Sequence, residues 1–118
     1  MSISQCKLWI EQLNQHYGLK VKLQANKTKP VYFSCKPFNA SCDYVYCAIY
    51  IPIKYKALHD PRVVAHEYAH LLNLGYTEHN KQFEQTYKEC CLVLGLFYIP
   101  TEQLRKMIRE SNSLPNTN

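Results

Sequence analysis

Asp60 and Gly75 mark the start and the end of the segment that most restricts how this chain can fold. Asp60 is a favourable N-cap residue, and Pro61 suits the first helical position, where its missing N–H needs no partner. Gly75 favours the left-handed conformation that ends a helix. The sequence therefore predicts a helix from residue 61 to Leu74, against which the remaining elements must pack.

The residues before this helix change from a helical to an alternating pattern. Near the N-terminus, apolar residues recur at helical spacing until Gly18 ends the run. These residues are Cys6, Trp9, Ile10, Leu13 and Tyr17. Three alternating runs follow, at residues 19–23, 31–35 and 45–51, and each is typical of a half-buried strand. This order predicts an N-terminal helix followed by a small sheet with antiparallel or mixed strands.

The C-terminal part of the chain has helical patterns only. Asn80 can cap a second helix, and a shorter helix is expected from Thr101 to Arg109. The apolar stripe of the second helix comprises Phe83, Tyr87, Cys90, Cys91 and Leu94. The complete order predicts one α+β domain over residues 1–110, with helices packed on one face of a three-stranded sheet. The polar residues 111–118 are expected to form a disordered tail.

The length and composition are those of a single globular domain. The 118 residues are 47% hydrophobic and 19% charged, which excludes wholesale disorder. No apolar run approaches the ~20 residues that a membrane-spanning helix needs, and the N-terminus lacks the layout of a signal peptide. We therefore expect a cytoplasmic protein with no membrane partner, whose six cysteines are reduced and mostly buried.

Positive charge is concentrated in the first half of the chain, within a net charge of +5. Residues 1–58 carry eight Lys and two acidic residues, whereas residues 59–118 carry six basic and seven acidic residues. A basic half with several tyrosines can contact a polyanion, but no nucleic acid-binding motif accompanies it. The sequence therefore leaves DNA open as a partner, and it leaves the oligomeric state open as well.

Residues that can bind a metal ion or transfer a proton lie in the middle of the predicted helix 61–74, in the run His66-Glu67-Tyr68-Ala69-His70. Four residues advance a helix by about one turn, so His66 and His70 lie on one face and can hold one zinc ion. Glu67 points partly toward the same face, where a carboxylate can act as general base. The pattern indicates metal-assisted hydrolysis.

A catalytic zinc ion also needs a third protein ligand. His79 follows His70 by nine residues, and a chain reversal between them would return it to the histidine pair. Glu78 and Glu84 are alternative ligands that the spacing does not exclude. We expect the other histidines, which are His16 and His59, to be ordinary surface residues.

The spacing of these residues resembles a known family of zinc peptidases. The run 66–70, eight intervening residues and then His79-Asn80-Lys81-Gln82-Phe83 are similar to the SprT-like metallopeptidases. The pattern of that family is HExxH, a short spacer and His-Gly-x-x-Phe. The resemblance covers about residues 60–95, and it departs from the pattern at Asn80, where Gly is usual.

The resemblance implies a minimal zincin fold and a zinc-dependent metallopeptidase with one zinc ion per chain. His66, His70 and His79 would be the ligands, Glu67 the general base and Phe83 a packing residue. The implied substrate is a protein or peptide, with DNA-associated proteins as one candidate. The alternative is a non-catalytic, metal-stabilised domain that binds nucleic acid or protein through its basic, tyrosine-rich half.

Two further parts of the chain are candidates for contacting a substrate. Tyr76, beside the predicted turn, could donate a hydrogen bond to an oxyanion, although a tyrosine in such a position is more often a packing residue. The segment 43–51 could be an edge strand to which a substrate backbone pairs. Tyr46, Ala48 and Tyr50 lie along this segment. Its tyrosines could instead cover the outer face of the sheet.

Overall fold

The computed structural model of the protein describes residues 3–24, 41–43, 48–51, 59–73 and 79–116. Within these ranges the chain forms four helices and three short strands. In chain order they are α1 Ile3–Tyr17, β1 Lys22–Gln24, β2 Ser41–Asp43, β3 Ala48–Tyr50, α2 Pro61–Leu72, α3 Lys81–Val93 and α4 Thr101–Asn116.

Helices dominate the described part of the chain, so the expected α+β class with a three-stranded sheet as one layer is wrong. The helices have 12 to 16 residues, whereas each strand has only three. Within the described residues, the runs 19–23 and 45–51 contribute to β1 and β3, whereas residues 31–35 and 45–47 lie outside the described ranges. The alternating apolar pattern overestimated the sheet because it shows only to which side of a strand each side chain would point. The length of a strand depends on a partner segment in matching register, which the pattern does not report.

The short strands pair in the order β1-β3-β2. β1 is parallel to β3 and places Leu23 opposite Ile49, while β2 is antiparallel to β3 and places Cys42 opposite the same residue. The segment Ala48–Tyr50 is therefore central, and the prediction that it is a substrate-pairing edge is wrong. A strand with a partner on each side has no free row of backbone groups to offer a peptide. Tyr46 lies outside the described residues.

α1 confirms the predicted N-terminal helix. Cys6, Ile10 and Leu13 are almost completely buried on the face that packs into the core. Gly18 has a φ of +69°, a left-handed conformation that residues with a Cβ atom rarely adopt. The helix therefore ends where the glycine predicts.

The side chain of Asn14 joins α1 to Val21, the residue directly before β1, and to α2. Its Oδ1 atom accepts a hydrogen bond from the backbone N–H of Val21 at 3.1 Å, and its Nδ2 atom donates to the carbonyl of Val21 at 3.0 Å. The same Oδ1 atom accepts from the hydroxyl of Tyr68 at 2.8 Å. Tyr68 is a fully buried residue of the HExxH run, so Asn14 helps to hold α2 in place.

α2 begins as predicted and ends slightly earlier. Oδ1 of Asp60 accepts from the backbone N–H of Arg62 at 2.8 Å, which confirms the cap. The helix ends at Leu72 rather than Leu74, because Asn73 provides the C-cap. Both the backbone N–H and the side-chain amide of Asn73 donate to the carbonyl of Ala69, each at 3.0 Å. The predicted stop, Gly75, lies outside the described residues.

α2 is the central helix of the described structure. Ten of its twelve residues are buried, and it contacts α1, α3 and α4. Packing on several sides makes its backbone a rigid support for any group that it carries.

α3 and α4 follow the predicted order with one changed boundary. Oδ1 of Asn80 accepts from the backbone N–H of Phe83 at 2.9 Å, which confirms the cap of α3. α4 begins at Thr101 as predicted, but it continues past Arg109 to Asn116, into the predicted tail. A helix that has already nucleated adds one hydrogen bond per residue, so weakly unfavourable Ser and Asn residues do not end it.

Three of the cysteines belong to the apolar core, as expected. Cys6, Cys90 and Cys91 are buried free thiols. Burial raises the pKa of Cys6 and Cys91 to about 11 and that of Cys90 to about 12. These thiols therefore stay protonated at neutral pH. Among the residues that the structure describes, no helix combines the length and the apolar composition needed to cross a membrane.

Candidate metal centre

Three histidine side chains converge at one end of the contact between α2 and the start of α3. His66 and His70 lie one turn apart on α2, and His79 directly precedes the cap of α3. One ligand nitrogen from each ring lies within 4.8 Å of the others. His66 and His70 are buried, and His79 is half-buried. The structure therefore brings together three histidines that are close enough to bind a metal ion.

The closest pair of ring nitrogens has a separation suited to metal coordination. Nε2 of His79 lies 3.1 Å from Nε2 of His70. Two nitrogens that each lie about 2.0–2.1 Å from a tetrahedral zinc ion are about 3.4 Å apart. Lone pairs that face each other at such a distance repel, unless a proton or a cation lies between them.

Burial keeps the imidazoles of His66 and His79 neutral, which is the protonation state of a metal ligand. It lowers the pKa of His66 to about 4, and the positive charge of Arg105 contributes in the same direction. It also lowers the pKa of His79 to about 4, with further contributions from His66 and Arg105. Because neutral imidazole has a free lone pair on one nitrogen, both rings can serve as ligands at neutral pH.

His66 has a buried nitrogen that lacks a hydrogen-bond partner among the described residues. This atom is Nε2, while Nδ1 of the same ring lies 3.2 Å from Oε2 of Glu67. If Nδ1 carries the proton and donates a hydrogen bond to the carboxylate, Nε2 presents a lone pair. A buried acceptor without a partner costs about 1–3 kcal/mol, which a bound cation at this position would offset. The residues therefore fit a metal ion.

Phe83 forms the wall behind the three histidines. Its ring stacks on His70 with centroids 4.4 Å apart, and its centroid lies 4.9 Å from those of both His66 and His79. Tyr87, one turn further along α3, places its ring 5.3 Å from His66. Both aromatic residues are buried, so they restrict the imidazole rings and lower the local dielectric constant.

Glu67 is a buried carboxyl group next to the histidine cluster, with 8% of its surface exposed. Burial raises its pKa to about 7, although the charges of His70 and Arg105 act in the opposite direction. A carboxyl group with a pKa near neutrality can both accept and donate a proton at physiological pH. The role of general base that the sequence assigns to Glu67 stays a prediction.

Glu84, one of the alternative ligands, is engaged elsewhere. Its carboxylate accepts hydrogen bonds from the hydroxyls of Tyr98 and Thr101, and from the backbone N–H of Thr101 at 3.2 Å. Burial raises the pKa of Glu84, but these bonds outweigh it and leave the pKa below its usual value. Glu84 therefore joins α3 to the first residue of α4. Glu78 and Tyr76 lie outside the described residues.

The prediction for one histidine is wrong, and the structure adds several neighbours to the site. His59 is 5% exposed and is not the expected surface residue, whereas His16 is exposed as expected. His59 precedes the N-cap of α2, a position from which a side chain commonly packs against the first turn. The residues that sequence reasoning missed are Tyr98, Thr101 and Arg105. Their spacing from the histidines follows no motif, so only the folded chain shows them.

The chain was compared with protein-family models, curated proteins and solved structures. None of them matches. The functional assignment therefore depends on the site itself.

Proposed function

We propose that the protein is a zinc-dependent metallopeptidase that hydrolyses peptide bonds. The observation that carries this proposal is the cluster of His66, His70 and His79, whose ligand nitrogens lie within 4.8 Å of one another beside Glu67. Three protein ligands leave a coordination position open, as in catalytic rather than structural zinc sites. The resemblance to the SprT-like metallopeptidases supports the same reading.

Zinc is the metal that this ligand set favours. Imidazole nitrogens suit borderline-soft cations such as zinc, whereas calcium and magnesium prefer oxygen ligands. When bound, the ion supplies a Lewis acid that polarises a carbonyl group and acidifies water.

The residues of the chain would then hold and move protons. Glu67 accepts a proton from the attacking water and donates it to the nitrogen of the leaving amine. Burial raises its pKa to about 7 in the metal-free chain, and a bound cation would lower that pKa and favour the carboxylate that accepts the proton. The contact with Nδ1 of His66 orients the carboxyl group, and Phe83 shields the rings from solvent on one side.

The substitution Glu67→Gln tests this function. The variant should retain one zinc ion per chain, because the amide leaves the three histidines in place. It should cleave an unstructured protein such as casein about 100-fold to 10,000-fold more slowly, which is the usual contribution of a general base. Glu102→Gln, on the exposed first turn of α4, is the matched control and should cleave normally.

Two outcomes would reject the proposal in different ways. Undiminished cleavage by the Glu67→Gln variant would show that this carboxyl group is not the base. Zinc binding without any cleavage by the natural protein would favour a non-catalytic, metal-stabilised binding domain. Salt-dependent DNA binding that the substitution leaves unchanged would then be expected, because phosphate contacts release counterions.

A further inference from the structure

Tyr98, in the connection between α3 and α4, reaches the metal centre through one intermediate ring. Its ring meets that of Tyr87 edge to face, with centroids 5.4 Å apart. Tyr87 in turn packs edge to face on His66, with centroids 5.3 Å apart. Tyr87 and His66 are both buried. A continuous series of ring contacts therefore runs from this connection to one of the three histidines.

Tyr87 is held mainly by the rings around it. Phe83, one turn earlier on α3, lies 6.1 Å away in a stacked arrangement, and Tyr98 meets it at an interplanar angle of 67°. None of the described residues gives the buried hydroxyl of Tyr87 a hydrogen bond of normal geometry, although the thiol of Cys91 lies near it. Because a thiol is a weak hydrogen-bonding group, ring packing determines how Tyr87 is oriented against His66.

Tyr98 is itself fixed by two side chains of α3 that lie one turn apart. Its hydroxyl donates a hydrogen bond to Oε1 of Glu84, and Nζ of Lys88 lies 5.9 Å from the centroid of its ring. The carboxylate of Glu84 is held in turn by the backbone N–H and the hydroxyl of Thr101. Tyr98 is therefore restrained at its hydroxyl and at its ring, so it can restrain Tyr87.

We propose that Tyr98 is a positioning residue of the metal centre, which acts through Tyr87 to hold the imidazole of His66 in the orientation that binds zinc. The proposal rests on the zinc centre of the proposed metallopeptidase. A ligand ring that is already oriented loses less freedom when the metal binds, so the affinity is higher. A residue that only stabilised the fold would change the free energy of unfolding and leave the zinc affinity of the folded protein unchanged.

The zinc affinity of the folded protein, measured in competition with a chromogenic chelator, tests this role. Tyr98→Met removes the ring but fills its space with a flexible apolar side chain. It should weaken zinc binding about 10-fold, the lower end of the loss expected when support of a metal ligand is removed. Tyr98→Phe should restore most of the affinity, because the ring and not the hydroxyl contacts Tyr87. If Tyr98→Met does not fold, Tyr98→Leu replaces it.

Leu96→Ala is the matched control from the same connection. Leu96 is partly buried and packs against the core, so its truncation should lower the free energy of unfolding and leave the zinc affinity unchanged. The absorption spectrum of the cobalt-loaded proteins gives a second readout, because it reports the coordination geometry. The spectrum should change in Tyr98→Met and stay unchanged in Leu96→Ala.

A double-mutant cycle tests whether Tyr98 acts through Tyr87. Tyr87→Met should weaken zinc binding at least as strongly as Tyr98→Met, since it removes the ring that contacts His66. The double variant should then bind zinc as tightly as Tyr87→Met alone. Additive losses would overturn the proposal, as would an unchanged zinc affinity in Tyr98→Met or an equal loss in Leu96→Ala.

These outcomes are distinguishable from failure of the metallopeptidase function. An unchanged zinc affinity in Tyr98→Met, together with cleavage by the natural protein, would reject the role of Tyr98 and keep the peptidase. A loss of zinc affinity that depends on Tyr87, without cleavage by the natural protein, would keep the role of Tyr98 and reject the peptidase.

Discussion

The buried carboxyl group of Glu67 should make the stability of the metal-free protein depend on pH. Its pKa is about 7 in the folded chain and near its ordinary value of 4.5 in the unfolded chain. This difference, at about 1.4 kcal/mol per pKa unit, amounts to roughly 3 kcal/mol. Because Glu67 is 8% exposed, solvent screening reduces this figure little.

The sign follows from the raised pKa. Folding favours the protonated carboxyl group, so the stabilising contribution is complete below pH 4.5 and is lost as the pH rises through about 7. A glutamine stays neutral at every pH. The free energy of unfolding of Glu67→Gln, relative to that of the natural protein, should therefore increase by roughly 3 kcal/mol between pH 4.5 and pH 8.

Urea denaturation at several pH values, with a chelator present, measures this difference directly. Glu102→Gln, an exposed substitution on α4, should give a difference that stays constant with pH. A constant difference for Glu67→Gln would refute the reasoning, because it would mean that the carboxyl group ionises equally in both states. Added zinc should reduce the pH dependence, since a nearby cation favours the carboxylate.

Three further substitutions test the site and its support. His79→Ala should weaken zinc binding by at least 10-fold, measured in competition with a chromogenic chelator. His16→Ala, on the exposed end of α1, should leave zinc binding unchanged. Equal affinities of the two variants would remove His79 from the ligand set. Asn14→Ala should lower the free energy of unfolding by about 2 kcal/mol in urea, because it removes hydrogen bonds to Val21 and Tyr68; a loss below 0.5 kcal/mol would contradict the linking role. Gly18→Ala should lower the free energy of unfolding by about 1–2 kcal/mol through backbone strain alone, since its Cβ would meet no atom within 4 Å. Gly18→Asn should cost less. An unchanged Tm for Gly18→Ala would show that the chain adapts.

The helix ends were predictable because their interactions are local. The caps Asp60 and Asn80 bond to backbone groups two and three residues away, and Gly18 supplies its conformation alone. A short window of sequence contains all of these partners. The helical positions of His66 and His70 are equally local, since one turn of a helix separates them.

The strands were predicted less well because their partners are distant in the chain. β1 pairs with β3 across 26 positions of sequence, from Lys22 to Ala48. The alternation in either run carries no information about the other run, about strand order or about where pairing stops. The predicted edge at Ala48 and Tyr50 failed for this reason, since β2 covers the second side of β3.

By itself, the sequence determined the helix that carries His66 and His70, because side chains four residues apart on a helix share a face whatever surrounds them. Only the tertiary structure decided that Glu84 supports α4 instead of joining the histidines, and that Phe83 packs against all three histidine rings. Those positions depend on how α3 and α4 pack against α2. Packing between distant segments depends on the whole chain, whereas the spacing within one helix depends only on its own hydrogen bonds.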